Sequence, residues 1–231
     1  MSSRPTPRPK RISEASVASA TARRPRGRPK VRSDAEQRDT IIHAANALFV
    51  TNGFSHTTMD DIAGACRVSK RTLYRLFPSK IELFASIVRA HRTCMLALPG
   101  AYDGVPVDDA LERIFRIDLS PSAERQRHAI LKLVRVESAQ HPELAEIMTR
   151  EGADMARAEL AAWLAERAAA GEIAIHDPDI AAHVLTDMIF GMLAAKGPDD
   201  PLVPKGRDRA AHVRRCISIF LHGVARDPVS A

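Results

Sequence analysis

The stretch "TTMDDIAGACRVSKRTLYRLFPSKIELF", residues 57–84, decides the fold of this protein. Thr58 and Asp61 have the spacing of a capping box, so we expect a short helix to begin after Thr58. Ser69 can cap a second short helix over residues 70–76. Two short helices joined by a tight turn, with apolar helices on either side, predict a helix-turn-helix. Such a unit places its second helix in the major groove of DNA.

The segments on both sides of this stretch are also helical in pattern. Over residues 35–51 the apolar residues recur at helical spacing, and Asn52-Gly53 is typical of a helix end. From Lys80 onward the pattern stays helical, and no alternating strand segment of useful length occurs. We therefore predict an all-α protein, with an N-terminal three-helix helix-turn-helix domain followed by a larger helical domain.

Residues 35–85 resemble the DNA-binding domain of the TetR family of bacterial transcriptional regulators. The sub-motifs "TTMDDIA", "VSKRTLY" and "FPSKIELF" carry the resemblance. The segment from "ESAQHPELAEIM" through "AAGEIAIHDPDIAAHVL" is similar to the C-terminal domain of one TetR subgroup. The resemblance implies a DNA-binding domain over residues 34–82 and a ligand-binding and dimerisation domain over 83–231. It also implies a homodimeric repressor that binds a palindromic operator in double-stranded DNA and is released by a small molecule.

The second helix of the motif supplies the candidate DNA contacts. Lys70 and Arg71 stand in its first turn and can reach guanine edges or phosphates. The resemblance implies that Thr72 and Arg75 also face the groove, and that some neighbouring polar side chains hold phosphates. The candidates in this region are Thr58, Arg67, Ser69, Lys70, Arg71, Thr72, Tyr74, Arg75 and Lys80. Two alternatives stay open, namely that Arg75 is a solvated surface charge and that Tyr74 only packs.

The turn of the motif departs from the family pattern. Family members commonly have Ala-Gly where this chain has Cys66-Arg67. If the position of Arg67 requires a left-handed backbone, a residue with a side chain costs about 1–2 kcal/mol there. We expect a slightly altered turn, or a contact between Arg67 and a phosphate. Cys66 is either a buried turn residue or a thiol of lowered pKa.

A basic arm precedes the helical part. Residues 1–33 hold ten Arg and Lys and one acid, a net charge of +9 against +6 for the whole chain. Their few apolar residues predict disorder. The core of "RRPRGRPKVR", residues 25–29, resembles an AT-hook, in which Arg26 and Arg28 would follow the floor of a narrow A·T minor groove. The alternative is a solvated basic linker that raises only nonspecific affinity for DNA.

The larger domain contains candidate residues for an effector pocket. Its apolar, methionine-containing interior favours a hydrophobic or amphipathic ligand. For each apolar candidate the alternative is an ordinary place in the core. The candidates are Phe115, Leu119, Leu131, Val134, Trp163 and Met188, with polar contacts from Arg135, Glu137 and His128. Apolar stripes over residues 178–196 and 207–226 would form the dimer interface that the resemblance implies.

Other functional classes find little support in the sequence. The histidines show no ligand spacing that indicates a metal, and no catalytic motif or cofactor-binding loop is present, so we expect neither an enzyme nor a cofactor. Three widely spaced cysteines, no long apolar run and no apolar signal core predict a cytoplasmic protein without a membrane partner. The remaining alternative to a ligand-released repressor is an architectural DNA-binding protein without an inducer.

Overall fold

The structure, a computed structural model, describes residues 33–223 as a series of helices joined by short loops, without a strand in that range. The prediction of an all-α fold is confirmed. The elements are α1 (Asp34–Asn52), α2 (Met59–Cys66), α3 (Lys70–Leu76), α4 (Lys80–Met95), α5 (Val107–Ile114), α6 (Pro121–Glu137), α7 (Pro142–Ile147), a π-helical segment (Met148–Asp154), α8 (Met155–Ala169), α9 (Pro178–Lys196) and α10 (Gly206–His222).

Polar side chains fix the start of each of the first four helices. Ser33 and Thr58 each form a complete capping box with the acid three residues later, which begins α1 and α2. Ser69 and Ser79 accept the backbone N–H three residues on, which begins α3 and α4. A cap of this kind contributes about 1 kcal/mol. The sequence therefore sets the boundaries of the helix-turn-helix locally.

The first hydrophobic core holds the helix-turn-helix in place. The rings of Phe49, Phe54 and Phe84 meet with centroids 5.2–6.3 Å apart. Ile62 from α2 and Leu73 from α3 are fully buried in the same cluster. The C-terminal half of α6 and all of α7 also contribute apolar side chains to it. The DNA-binding helices thus share their core with helices of the larger domain.

A second core lies among α5, α8, α9 and α10. The two cores are connected by α4, because Val88 belongs to the first core and Leu96, just past the end of α4, belongs to the second. The expected domain boundary after residue 82 therefore falls within a helix that serves both cores.

The sequence of the larger domain also predicts a central buried helix over residues 129–136 and one helix that runs from Leu111 to Leu119, and both predictions are wrong. The apolar run that ends at Val136 indicates a helix buried on all sides, yet Val136 is 67% exposed because α6 turns only one face to the core. The helix containing Leu111 does not continue to Leu119. It ends at Ile114, and Arg116 then takes a positive φ of 52° that no helix can continue through.

Candidate DNA-binding surface and effector cavity

Helix α3, the second helix of the helix-turn-helix, presents a polar face to solvent. Leu73 and Leu76 are buried in the core, while Lys70, Arg71 and Arg75 are exposed on the surface. Tyr74 is 48% exposed, which excludes the interpretation that its ring only packs in the core. Ser69 sits at the N-terminus of the helix, where its hydroxyl caps the N–H of Thr72 at 3.0 Å. The predicted DNA contacts of α3 thus lie on one accessible surface.

Two cations of α3 are held by carboxylates of neighbouring helices. Lys70 pairs with Asp60 at 2.7 Å, and Arg75 makes a two-pronged pair with Asp34 at 2.7 and 2.9 Å. Each pairing raises the pKa of its cation, chiefly through the hydrogen bond. Exposed ion pairs contribute little to stability, so either pairing can be broken at small cost. Arg71 has no ion-pair partner among the described residues.

The turn between α2 and α3 uses a left-handed residue at the position where family members commonly have glycine. Arg67 has φ 54° and ψ 41°, and its N–H reaches the carbonyls of Ala63 and Gly64. Its side chain is exposed beside the start of α3. Cys66 before it is buried, and burial raises the pKa of its thiol, the opposite of what a reactive thiolate needs.

The two predicted phosphate contacts next to α3 differ in their accessibility. Thr58 is exposed, and its hydroxyl donates to Asp61 at 2.6 Å. Lys80 turns inward instead. Its ammonium group donates to the carbonyls of Phe54 at 2.7 Å and Thr57 at 3.0 Å, and lies 4.3 Å from the ring centre of Phe54. In this state Lys80 holds the loop between α1 and α2 through two of its three N–H donors.

Glu137, at the end of α6, also holds the loop between α1 and α2. Its carboxylate accepts the N–H groups of Phe54 and Ser55 at 3.1 Å each, and the Ser55 hydroxyl at 2.6 Å. Burial favours the protonated form, but these hydrogen bonds outweigh it and leave the pKa of Glu137 below its usual value. His141 adds a contact of 3.1 Å to the Ser55 hydroxyl. The sequence-based assignment of Glu137 to the effector pocket is therefore wrong.

A cavity of about 340 Å³ lies where the two cores meet. That volume is at the lower end of the range for small-molecule sites, about 300–1,000 Å³. Helices α4, α6, α8 and α9 and the π-helical segment all line it. Its walls are mostly apolar, from side chains that include Val88, Met95, Ile130, Leu131, Met148 and Phe190. A π-helical turn at the wall fits this place, because such turns occur often at functional sites.

A few polar groups also reach the cavity. Arg92 pairs with Glu159 at 2.8 Å, and Arg157 pairs with Asp154 at 3.0 Å. Arg127 is 5% exposed and its Nε and Nη1 atoms have no hydrogen-bond partner.

Of the predicted pocket residues, only Leu131 lines this cavity. Phe115 and Trp163 are buried in the second core with Met188 packed against it, and Val134 is buried in the first core. The three remaining candidates do not line the cavity either. These are Leu119, Arg135 and His128.

The spacing of Arg127 in the sequence could have identified it as a further candidate for the pocket. It precedes Leu131 by four residues and Val134 by seven, the spacing of one helix face.

Helix α9 carries a mostly apolar surface away from the cavity. Ile180, Val184 and Met192 are 62%, 47% and 40% exposed. By length and composition α9 is also the one helix in residues 33–223 that could cross a membrane, which is weak support for such a role because core helices pass the same test. Within the same range no cluster of three potential metal ligands occurs. Arg26 and Arg28 of the arm lie outside the described residues.

Two family models match the chain. Residues 41–87 match the bacterial regulatory proteins of the tetR family, and residues 109–223 match the C-terminal domain of AefR-like transcriptional repressors. The second match agrees with the C-terminal resemblance seen in the sequence.

Individual relatives agree with both matches. The flavonoid-responsive regulator FrrA has a structure with a TM-score of 0.58 and 31% identity, covering 81% of this chain and 96% of its own. The transcriptional regulator UidR of Escherichia coli is 28% identical over 163 residues, 68% of this chain and 80% of UidR. The transcriptional activator FasR of Mycolicibacterium smegmatis is 39% identical over 56 residues, about a quarter of either chain. The chain therefore belongs to the TetR family of bacterial transcriptional regulators.

Proposed function

We propose that this regulator is a cytoplasmic homodimeric repressor that binds a palindromic operator and is released when a hydrophobic or amphipathic small molecule enters the cavity. The observation that carries this proposal is the course of α4. One end of α4 packs beside α3 in the first core, and further along Val88, His91 and Met95 line the cavity. A ligand there would contact the helix that positions the DNA-binding surface.

The exposed cations of α3 support operator binding. Lys70 and Arg75 would exchange their carboxylate partners for phosphates or bases, and Arg71 is already free of an ion pair within residues 33–223. In a two-fold dimer, two copies of α3 must reach half-sites about 34–36 Å apart. A small rotation of α4 in each subunit would change that separation and weaken binding.

The surface of α9 supports a dimer. The exposed side chains of Ile180, Val184 and Met192 form an apolar surface on a helix that packs against α8 and α10. Pairing this surface with a second copy would remove these side chains from water. The resemblance to the family implies a dimer interface on the same pair of helices, α9 and α10.

The relatives support a repressor. The family model that matches the C-terminal domain is that of a repressor, whereas the activator FasR matches over about a quarter of this chain. FrrA is described as flavonoid-responsive, and a planar aromatic molecule would fit the apolar walls described above. A release mechanism requires only that the ligand binds one of two conformations better than the other.

The basic arm is a further part of the proposal. We propose that Arg26 and Arg28 add minor-groove contacts beside the operator. Deletion of residues 1–32 should then weaken binding most when A·T pairs flank the palindrome, and should make binding less dependent on salt. Equal losses on G·C-flanked sites would reduce the arm to a source of nonspecific charge.

A gel shift with the DNA upstream of the gene tests the main proposal. At about 150 mM salt the protein should prefer this DNA to random DNA, and a small molecule from a metabolite screen should reverse the shift. Arg71→Ala should lower specific affinity by about tenfold, the cost of one lost base or phosphate contact. Arg125→Ala, an exposed arginine on α6, is the matched control. Binding without sequence preference and without any effector would favour the architectural alternative.

A further inference from the structure

Arg127 is an unpaired buried charge at the wall of the cavity. The residue is 5% exposed, and within residues 33–223 neither Nε nor Nη1 has a hydrogen-bond partner. No carboxylate of the described residues forms an ion pair with it. Buried charges in proteins are ordinarily paired, because an unpaired one loses its hydration without compensation. The buried guanidinium of Arg127 therefore lacks, among the described residues, the carboxylate partner that a buried charge ordinarily has.

The surroundings of Arg127 make an internal partner difficult to supply. Arg209 and Arg116 are charges of the same sign nearby. Glu124, an acid on the same helix that acts on Arg127 electrostatically, has a carboxylate that accepts the N–H of Gly206 at 3.2 and 3.4 Å. Burial, and then Arg209, lower the pKa of Arg127 to about 10, so the guanidinium is still charged at neutral pH.

The other cations at the cavity are already neutralised. Arg92 is paired with Glu159 on α8, and Arg157 is paired with Asp154. Among the described residues that line the cavity, Arg127 is thus the one buried arginine without a carboxylate partner; the lining also includes the exposed carboxylate of Asp187 and is otherwise mostly apolar. A ligand that satisfies both features needs one acidic group and an apolar body.

We propose that the cavity binds an amphipathic organic anion, whose carboxylate group pairs with Arg127 and whose apolar body lies against Val88, Met95, Met148 and Phe190. A planar guanidinium can hold a carboxylate with two parallel hydrogen bonds, which fixes the orientation of the ligand. The position of Arg127 on α6, opposite the α4 wall, lets one ligand contact both helices. Only the release of the operator by this anion rests on the proposed function, since binding of the anion itself can be measured without DNA.

The test compares ligands that have the same shape and differ in charge. Calorimetry on the full chain would measure 2-naphthoate against 2-naphthamide and octanoate against octanamide. At least one carboxylate should bind about tenfold or more tightly than its amide, the discrimination expected of a charge-assisted hydrogen-bonded pair. Arg127→Met should remove this preference and keep amide binding within about threefold. Arg125→Met, which changes the same charge on an exposed part of α6, should behave as the wild type.

Thermal unfolding without ligand separates binding from folding. Arg127→Met should melt no lower than the wild type, because it removes a buried charge that has no partner. Arg127→Lys retains a cation and should retain part of the preference for the carboxylate, which checks the result if the methionine variant folds poorly. A wild type without preference for either carboxylate would overturn the inference, and so would a preference that survives in Arg127→Met.

The outcomes also distinguish this inference from the proposed function. If a neutral molecule releases the operator and no carboxylate is preferred, the anion site is wrong while the repressor stands. If the protein selects carboxylates through Arg127 but shows no operator preference, the proposed function fails and the anion site stands.

Discussion

The replacement Glu137→Gln tests the contact between the larger domain and the helix-turn-helix. In the wild type both carboxylate oxygens accept hydrogen bonds from the loop after α1. A glutamine offers one oxygen and one NH₂ group, so the N–H of Phe54 or of Ser55 would face another donor. Leaving such a group without an acceptor costs about 1–3 kcal/mol. Because Glu137 is half-buried and water can reach part of the site, we expect about 1–2 kcal/mol.

Thermal unfolding at a fixed protein concentration measures this loss. For a chain of this size, 1 kcal/mol lowers the melting temperature by about 2–4 °C, so Glu137→Gln should melt roughly 2–8 °C lower. The concentration must be fixed because association of subunits also raises the apparent stability. Glu146→Gln is the matched control, since it makes the same change of charge at an exposed position of α7.

The same variant should change the response to effector. If the α6 contact transmits the effect of the ligand, the effector concentration that releases the operator should rise in Glu137→Gln while operator affinity without effector changes less. A melting temperature within about 1 °C of the Glu146→Gln control would refute the energetic argument. An unchanged release curve would refute the role of Glu137 in transmission, even if stability falls.

Other perturbations follow from local geometry. Arg67→Gly should stabilise the fold by about 0.5–1 kcal/mol in urea denaturation, because relief of the left-handed strain exceeds the added chain entropy of glycine. A loss of stability would contradict this backbone argument. Weaker operator binding in the same variant would show that the arginine contacts DNA. Asp34→Asn should free Arg75 and tighten operator binding up to about fivefold in a gel shift, the equivalent of one exposed ion pair, whereas looser binding would mean that the pair positions the arginine for DNA. The folded pKa of Glu137 is lowered, so its contribution to stability is complete above its unfolded pKa of about 4.5 and is lost as the pH falls through the folded value. The stability difference between the wild type and Glu137→Gln should therefore shrink below about pH 4, and a difference that grows there would contradict the direction of the shift.

The DNA-binding surface could be predicted from the sequence because its determinants are local. Caps at Thr58 and Ser69 act over three residues, and the spacing of Leu73 and Leu76 decides which face of α3 is buried. Comparison with the family pattern also pointed to position 67 as one where a left-handed backbone would matter, and Arg67 has a positive φ of 54°. Each of these signals lies within about one helical turn of the residue it concerns.

The effector cavity and the loop contacts could not be predicted in the same way. The cavity forms between two cores that combine helices distant in sequence, so the predicted list of apolar residues found only Leu131 on its wall. Lys80 contacts the loop after α1 from 23 and 26 residues away along the chain. Glu137 contacts the same loop from 82 and 83 residues away. Composition and periodicity say which face of a helix is buried, but they do not say which other helix it meets.

Helix α6 joins the two features that sequence reasoning missed. Arg127 stands at the cavity and Glu137 at the loop, ten positions apart on one continuous helix, which corresponds to about 15 Å at 1.5 Å per residue. Because the two residues stand on one helix, a displacement of α6 by a ligand paired with Arg127 would also displace the carboxylate that holds the loop before α2. Helix α4 offers a parallel route, because it touches the cavity directly and is tied to the π-helical segment by the Arg89–Glu151 pair at 3.3 Å. A ligand in the cavity would therefore act on the loop between α1 and α2 through two residues, Glu137 on α6 and Lys80 on α4.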